Sequence, residues 1–137
     1  MSNSLRIVLI DDDEDDLEIL KLTIRSVHPE VNCVCFFDAD VALGAMMKEE
    51  TPAPHLVFID INMPRMSGDV CLKEIREQPK FDRTKIVMIS TSIPDSFRKK
   101  LLKHGASLIF TKPVDIEGYK KIISECFDTD VHGCAVP

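Results

Sequence analysis

The chain has 137 residues, 45% of them hydrophobic and 29% charged, with a net charge of -6. This is enough for one ordinary core without a bias to disorder, and the acidic balance argues against a nucleic-acid binder, which needs Lys and Arg on phosphates. No apolar run approaches the ~18–20 residues that span a bilayer, and the start MSNSLRIVLIDDD is too short and acidic for a signal peptide, so no membrane association and a cytoplasmic location are expected.

Residues 5–10 are a short β-branched run that stops at Asp11, a buried strand by pattern. Leu17, Leu20, Ile24 and Val27 then recur at helical spacing. Glu14, Asp15 and Asp16 fall in that helix's first turn, where negative charge suits its dipole. Residues 31–37 predict a second strand, Asp38 an N-cap, and 39–48 a helix. Residues 55–60 are a third strand ending in Asp60, followed by the loop MPRMSG closed by Gly68 and a helix, carrying Val70, Leu72 and Ile75, to about 77. After a loop over 79–84 come a fourth strand at 85–90, a basic helix over 94–103 with Pro94 in its first turn, and Gly105 at a left-handed C-cap. A fifth strand at 108–110, a Lys112-Pro113 turn and a last helix over 114–127 complete the pattern, with Tyr119, Ile122, Ile123 and Phe127 on its apolar face. The expected organisation is one domain over 5–128 with a short tail, 129–137, and no output domain.

Five βα units in succession predict an α/β fold, a doubly wound parallel sheet with helices on both faces. Ligands in such sheets bind beyond the carboxyl ends of the strands, at a topological switch point. Those ends carry Asp11 and Asp12, Asp60, Ser90 and Thr91, and Lys112. If strands one, three, four and five are neighbours, these groups meet. Three carboxylates at ~4 Å repel by roughly 1–4 kcal/mol per pair, so the site must raise a pKa or bind a cation. Oxygen-only ligands point to a hard ion such as Mg²⁺. A carboxylate beside such an ion and a lysine can act as a nucleophile toward a phosphoryl group. An EF-hand reading of the acidic run fails, since its sixth and twelfth positions from Asp11 are Asp16 and Leu22 rather than Gly and Glu.

The five cysteines, Cys33, Cys35, Cys71, Cys126 and Cys134, match no zinc spacing and read as small buried hydrophobes, with Cys33 and Cys35 on one strand face. None of His28, His55, His104 and His132 has ligand spacing or reads as catalytic. Arg98, Lys99, Lys100 and Lys103 read as a solvated face, or more sharply as part of a signalling surface.

With IDDD at 10–13, FIDINMPRMSG at 58–68, IVMISTS at 86–92 and TKP at 111–113 in this order, the sequence resembles the response-regulator receiver family over about residues 6–127. The resemblance implies a flavodoxin-like sheet of strand order 2-1-3-4-5. It implies that Asp60 accepts a phosphoryl group, that Asp11 and Asp12, together with Asp60, hold Mg²⁺, and that the Asn62 backbone carbonyl adds a ligand. The Asn62 side chain would modulate dephosphorylation, Lys112 would pair with a phosphoryl oxygen, Ser90 would move to bond it, and Pro113 would follow a cis peptide bond. Two positions depart from the common pattern. Ile109 stands where many members carry a switching aromatic, with Phe110 expected on the opposite face, and Thr91 is bulkier than the common Ala. The STS run and the loop QPKFDRT are similar to a stand-alone subgroup that pairs with phytochrome-like kinases.

The implied function is a phosphorelay module that assists its own phosphorylation without being a turnover enzyme. Its partners would be a histidine kinase or phosphotransfer protein and a downstream target docking on the fourth helix, fifth strand and fifth helix, with no direct nucleic-acid contact. The competing readings are a constitutive interaction module that is never phosphorylated and a Mg²⁺ phosphatase, the latter without a DxDxT context, a P-loop or a GxGxxG.

Overall fold

The computed structural model describes residues 5–128. The elements in chain order are β1 (Arg6–Ile10), α1 (Glu14–Val27), β2 (Asn32–Phe36), α2 (Ala39–Met46), β3 (Leu56–Asp60), α3 (Gly68–Arg76), β4 (Lys85–Ser90), α4 (Asp95–Lys103), β5 (Leu108–Thr111) and α5 (Ile116–Asp128). The strands form one parallel sheet in the order β2-β1-β3-β4-β5. Its middle strands are apolar between their ends because both of their faces are covered; every residue of β3 and β4 is buried, including the terminal Asp60, Lys85 and Ser90.

Two cores lie on the two sheet faces. On one, Ile10, Ile59 and Met88 pack with Ala42 of α2, Leu72 and Ile75 of α3, and Leu101 of α4. On the other, Leu9, Phe58 and Ile89 pack with Leu17, Leu20 and Ile24 of α1 and Tyr119, Ile122 and Ile123 of α5. Cys33 and Cys35 both face this second core, as strand alternation requires. Registers Ile10↔Ile59, Asp60↔Ile89 and Ser90↔Thr111 bring the ends of β1, β3, β4 and β5 to one rim.

Several expectations need correction. Val27 and Val70 are 48% and 42% exposed, so the buried stripe is Leu17, Leu20, Thr23 and Ile24 on α1 and Cys71, Leu72 and Ile75 on α3. α4 starts at Asp95, with Pro94 as its extended N-cap. α5 starts at Ile116, leaving Val114 fully exposed in the preceding turn. The loop after α3 contains a 3-10 turn, Pro79–Phe81, that buries Phe81 completely. No peptide bond among the described residues is cis, so the bond before Pro113 is trans, the commoner X–Pro form. Gly105 does take a left-handed conformation, φ 107. The tail 129–137, with His132 and Cys134, lies outside the described residues. Among the described residues no helix is long and apolar enough to cross a membrane.

Lys85 begins β4 yet is 1% exposed, its Nζ donating to the Cys126 carbonyl near the end of α5 at 2.7 Å. This bond ties the sheet to the last helix from beneath.

Two glycines separate close approach from open space. A Cβ on Gly68, the first residue of α3, would lie 2.4 Å from the Asp60 carbonyl oxygen and 2.7 Å from Ile61 Cα, whereas one on Gly44 in α2 would meet nothing within 4 Å. Gly68→Ala is therefore expected to destabilise the fold by about 1–3 kcal/mol, as overpacking against backbone does. Gly44→Ala should stabilise it by about 0.5–1 kcal/mol through helix propensity. Urea denaturation of both variants measures the contrast; equal effects would contradict the placement of α3 against β3.

Candidate functional site

The rim of the sheet is built from strand ends. β1 runs out at Asp11, whose N–H still donates to the Phe36 carbonyl at 3.1 Å. The buried Asp11 carboxylate accepts from the Asp13 N–H at 2.9 Å. Asp13 in turn caps α1, accepting from the Asp16 N–H at 3.1 Å. β3 ends in buried Asp60; beyond it Ile61 N–H bonds Ile89 O at 3.1 Å, and Gly68 N–H returns to Ile61 O at 2.8 Å. The loop between is tight enough to place Arg65 at φ 66, a left-handed conformation uncommon outside glycine. Arg65 pairs from there with Asp38, the N-cap of α2. β4 ends in buried Ser90, whose carbonyl accepts from the Lys112 N–H at 2.7 Å.

These elements enclose an open cleft of about 480 Å³ lined by Asp12, Asp60, Asn62, Ser90, Thr91 and Lys112, with Asp13 and Asp16 on one wall. One carboxylate oxygen from each of Asp11, Asp12 and Asp60 lies within 4.8 Å of the other two. Lys112 Nζ lies 2.7 Å from Asp16 Oδ2, 2.9 Å from Asp11 Oδ2 and 3.7 Å from Asp60 Oδ1. Asn62 Nδ2 donates to Ser90 Oγ at 2.9 Å, and Thr91 is exposed at the mouth.

The electrostatics follow from burial and crowding. Asp60 is pushed up to about 7, first by burial and then by the charge of Asp11 opposite, with Lys112 opposing and Asp12 adding. Burial also raises Asp11, against the pull of the Asp13 N–H and Lys112. For Lys112, burial works to lower the pKa, but its bonds to Asp16 and Asp11 and the fields of Asp11 and Asp60 outweigh it, so the ammonium is held charged. Tyr119, packed behind the cleft, is pushed up to about 12 by burial and by the charge of Asp16. A cluster with more carboxylates than ammoniums, all oxygen donors, fits a hard divalent cation by the chemistry of its donor set.

The structure therefore brings together Asp11, Asp12, Asp60, Ser90, Thr91 and Lys112, as the strand-end argument expects, and adds Asn62, which the resemblance alone had implied. Ile109 stands apart from the cleft. It is half-buried against the core that contains Leu101, while Phe110 faces the α1–α5 side. The Ile109 carbonyl accepts from Arg98 on α4 at 3.1 Å. None of the described histidines lines the cleft. Sequence reasoning missed Asp16 as a site residue, treating it as a first-turn acid. Local pattern holds no signal for it, because its partner Lys112 lies 96 positions away.

The response regulator receiver domain model matches residues 7–124. Among curated relatives, the hybrid signal transduction histidine kinase D of Dictyostelium discoideum is 30% identical over 104 residues, 76% of this chain but 6% of that protein. The chain thus spans a small part of that relative's length. Among solved structures, the phosphorylated cyanobacterial phytochrome response regulator RcpA superposes with TM-score 0.82 at 21% identity, covering 94% of this chain and 99% of that one. The Mn²⁺-bound form of response regulator Rcp1 superposes with TM-score 0.81 at 19% identity, covering 97% and 99%. At these identities the two structures bear on the fold alone.

The raised Asp60 gives a pH dependence with a definite sign. Its pKa in the folded chain lies above its ordinary 3.8, so the protonated form is favoured by folding. The associated stability is fully present below about pH 4 and is lost as pH rises through about 7. In metal-free buffer, Asp60→Asn is expected to lose this decline and to exceed wild type by roughly 2–4 kcal/mol at about pH 8. Parallel urea-denaturation profiles for the two proteins between about pH 5 and 8 would count against the buried, crowded carboxylate.

Proposed function

The chain belongs to the response regulator receiver domain family, and from that premise we propose that it is a phosphorylation-switched signalling module whose Asp60 carboxylate accepts the phosphoryl group. The observation that carries this reading is the convergence of Asp11, Asp12 and Asp60 with the Lys112 ammonium at one rim.

The donor is a phosphohistidine of a kinase or phosphotransfer protein. An Asp60 oxygen attacks the phosphorus and a new O–P bond forms. The P–N bond to the donor imidazole breaks with its electron pair staying on nitrogen, which takes a proton from solvent. Attack requires ionised Asp60, and a cation in the cleft together with Lys112 favours that form. Asp11, Asp12, Asp60 and the Asn62 carbonyl would hold Mg²⁺, which supplies Lewis-acid stabilisation of the phosphoryl oxygens when bound. Lys112 presents its ammonium to one phosphoryl oxygen. Ser90 exchanges its bond with Asn62 for another, while the freed Asn62 amide and Thr91 flank the path of a hydrolytic water and set how long the acyl phosphate lasts.

The chain's chemistry is limited to gaining and losing its own phosphoryl group, and it acts in the cytoplasm. The added charge, about -1.5 to -2, biases one of two conformations. The downstream partner reads that bias on the α4–β5–α5 face, where Lys99, Lys100 and Lys103 are exposed and the Arg98–Ile109 bond joins α4 to β5.

Acetyl phosphate with Mg²⁺ tests the reading by intact-mass spectrometry. Wild type should gain one phosphoryl mass, Asp60→Asn none, and EDTA should abolish the gain. Lys112→Ala should slow labelling by about tenfold or more, as loss of a positioned cation does. An unlabelled wild type would leave a constitutive interaction module as the better account, and equal labelling of Asp60→Asn would overturn Asp60 as the acceptor.

A further inference from the structure

Lys112 is not seated on Asp60. Its nearest partner is Asp16 at 2.7 Å, then Asp11 at 2.9 Å, while Asp60 at 3.7 Å is an ion-pair neighbour outside hydrogen-bond range. The ammonium is deeply placed, at 9% side-chain exposure, and Asp16 is 28% exposed. Asp16 cannot drift far, since it sits in the first turn of α1 and its own N–H is fixed by the Asp13 cap. The three carboxylates stand on three different elements, so one ammonium is divided between α1, the β1 end and the β3 end.

We propose that Asp16 is a positioning residue that holds the Lys112 ammonium back from Asp60 until an anion is seated there. The inference rests on Asp60 being the phosphoryl acceptor and adds a regulator of that event. An anion on Asp60 offers Lys112 oxygens that compete with Asp16, and reaching them costs the Lys112–Asp16 bond. A contact present in the unloaded state and lost in the loaded one shifts the equilibrium toward the unloaded state by its own free energy. Asp16 therefore lowers the affinity of the site for the phosphoryl group and favours the resting state at equilibrium.

The rival account is bulk repulsion, in which any acid near the cleft opposes an anion. Asp15 separates the two, because it carries the same charge one residue away and is exposed. The probe is beryllofluoride with Mg²⁺, a phosphoryl mimic that binds without transfer, titrated by ¹⁹F NMR. Asp16→Asn should bind it about fivefold more tightly, the scale of one partly exposed ion pair. Asp16→Glu, which keeps the charge, should move back toward wild type, and Asp15→Asn should stay within about twofold. The Lys112 ammonium resonance, followed by ¹⁵N NMR, should differ between wild type and Asp16→Asn without ligand and coincide once beryllofluoride is bound. Unchanged or weaker binding by Asp16→Asn, equal tightening by Asp15→Asn, or an unmoved Lys112 resonance would each overturn the proposal. A wild type that binds no beryllofluoride with Mg²⁺ would instead overturn the acceptor reading of Asp60 and take this proposal with it.

Discussion

One ammonium among three carboxylates governs this structure. Lys112 reaches Asp11, Asp16 and Asp60 from the turn after β5, and Asp12 adds a fourth negative charge at the rim. Like charges at these separations cost a few kcal/mol per pair at an effective dielectric near 20. A single lysine cannot neutralise the set, so the site keeps an appetite for a cation and protonates Asp60 readily in its absence. The same imbalance that makes the rim costly is what a divalent cation would relieve. Stability and chemistry are in tension here, as is common where like charges are gathered for function.

The tension is sustained by a rigid frame. β3 and β4 are buried along their whole length, and the cores on the two faces hold α2, α3 and α4 on one side and α1 and α5 on the other. Close backbone approach does the rest. Gly68 abuts the Asp60 carbonyl, and Gly68 N–H and Lys112 N–H bond back to Ile61 and Ser90. The acidic groups therefore cannot relax apart by moving their strands. Within that frame the polar contacts at the rim are made by side chains, namely Lys112, Asn62 and the Ser90 hydroxyl.

Those side chains connect the rim to the far edge of the sheet. Ser90 is held by Asn62 on one side and receives the Lys112 N–H on its carbonyl. Its register partner is Thr111, two residues beyond Ile109. Ile109 has no ring to rotate, but it packs on the core that contains Leu101 of α4 and its carbonyl accepts from Arg98. α4 is thus tied to β5 through backbone and guanidinium rather than through an aromatic rotamer.

Much of this was legible in the chain. Strand runs ending in Asp11, Asp60 and Ser90, alternating with helical stripes, were sufficient for a parallel sheet and for a shared rim, because a parallel α/β sheet leaves its loops nowhere else to converge. Strand periodicity also placed Ile109 and Phe110 on opposite faces. What local pattern could not decide were contacts between residues far apart in sequence. Val27 and Val70 fit helical stripes but face outward, since packing rotates each helix to its best-filled face. Lys85 opens a strand run that does not disclose where its ammonium goes; in the fold it is 1% exposed and its Nζ donates to the Cys126 carbonyl of α5. Asp16 reads as a favourable first-turn charge, and only the fold carries Lys112, 96 positions away, to its carboxylate. Residue types and periodicity determined which chemistry was present and at which rim; the division of one ammonium among three acids was settled by tertiary packing, because ion pairs depend on separation in space and periodicity records only separation along the chain.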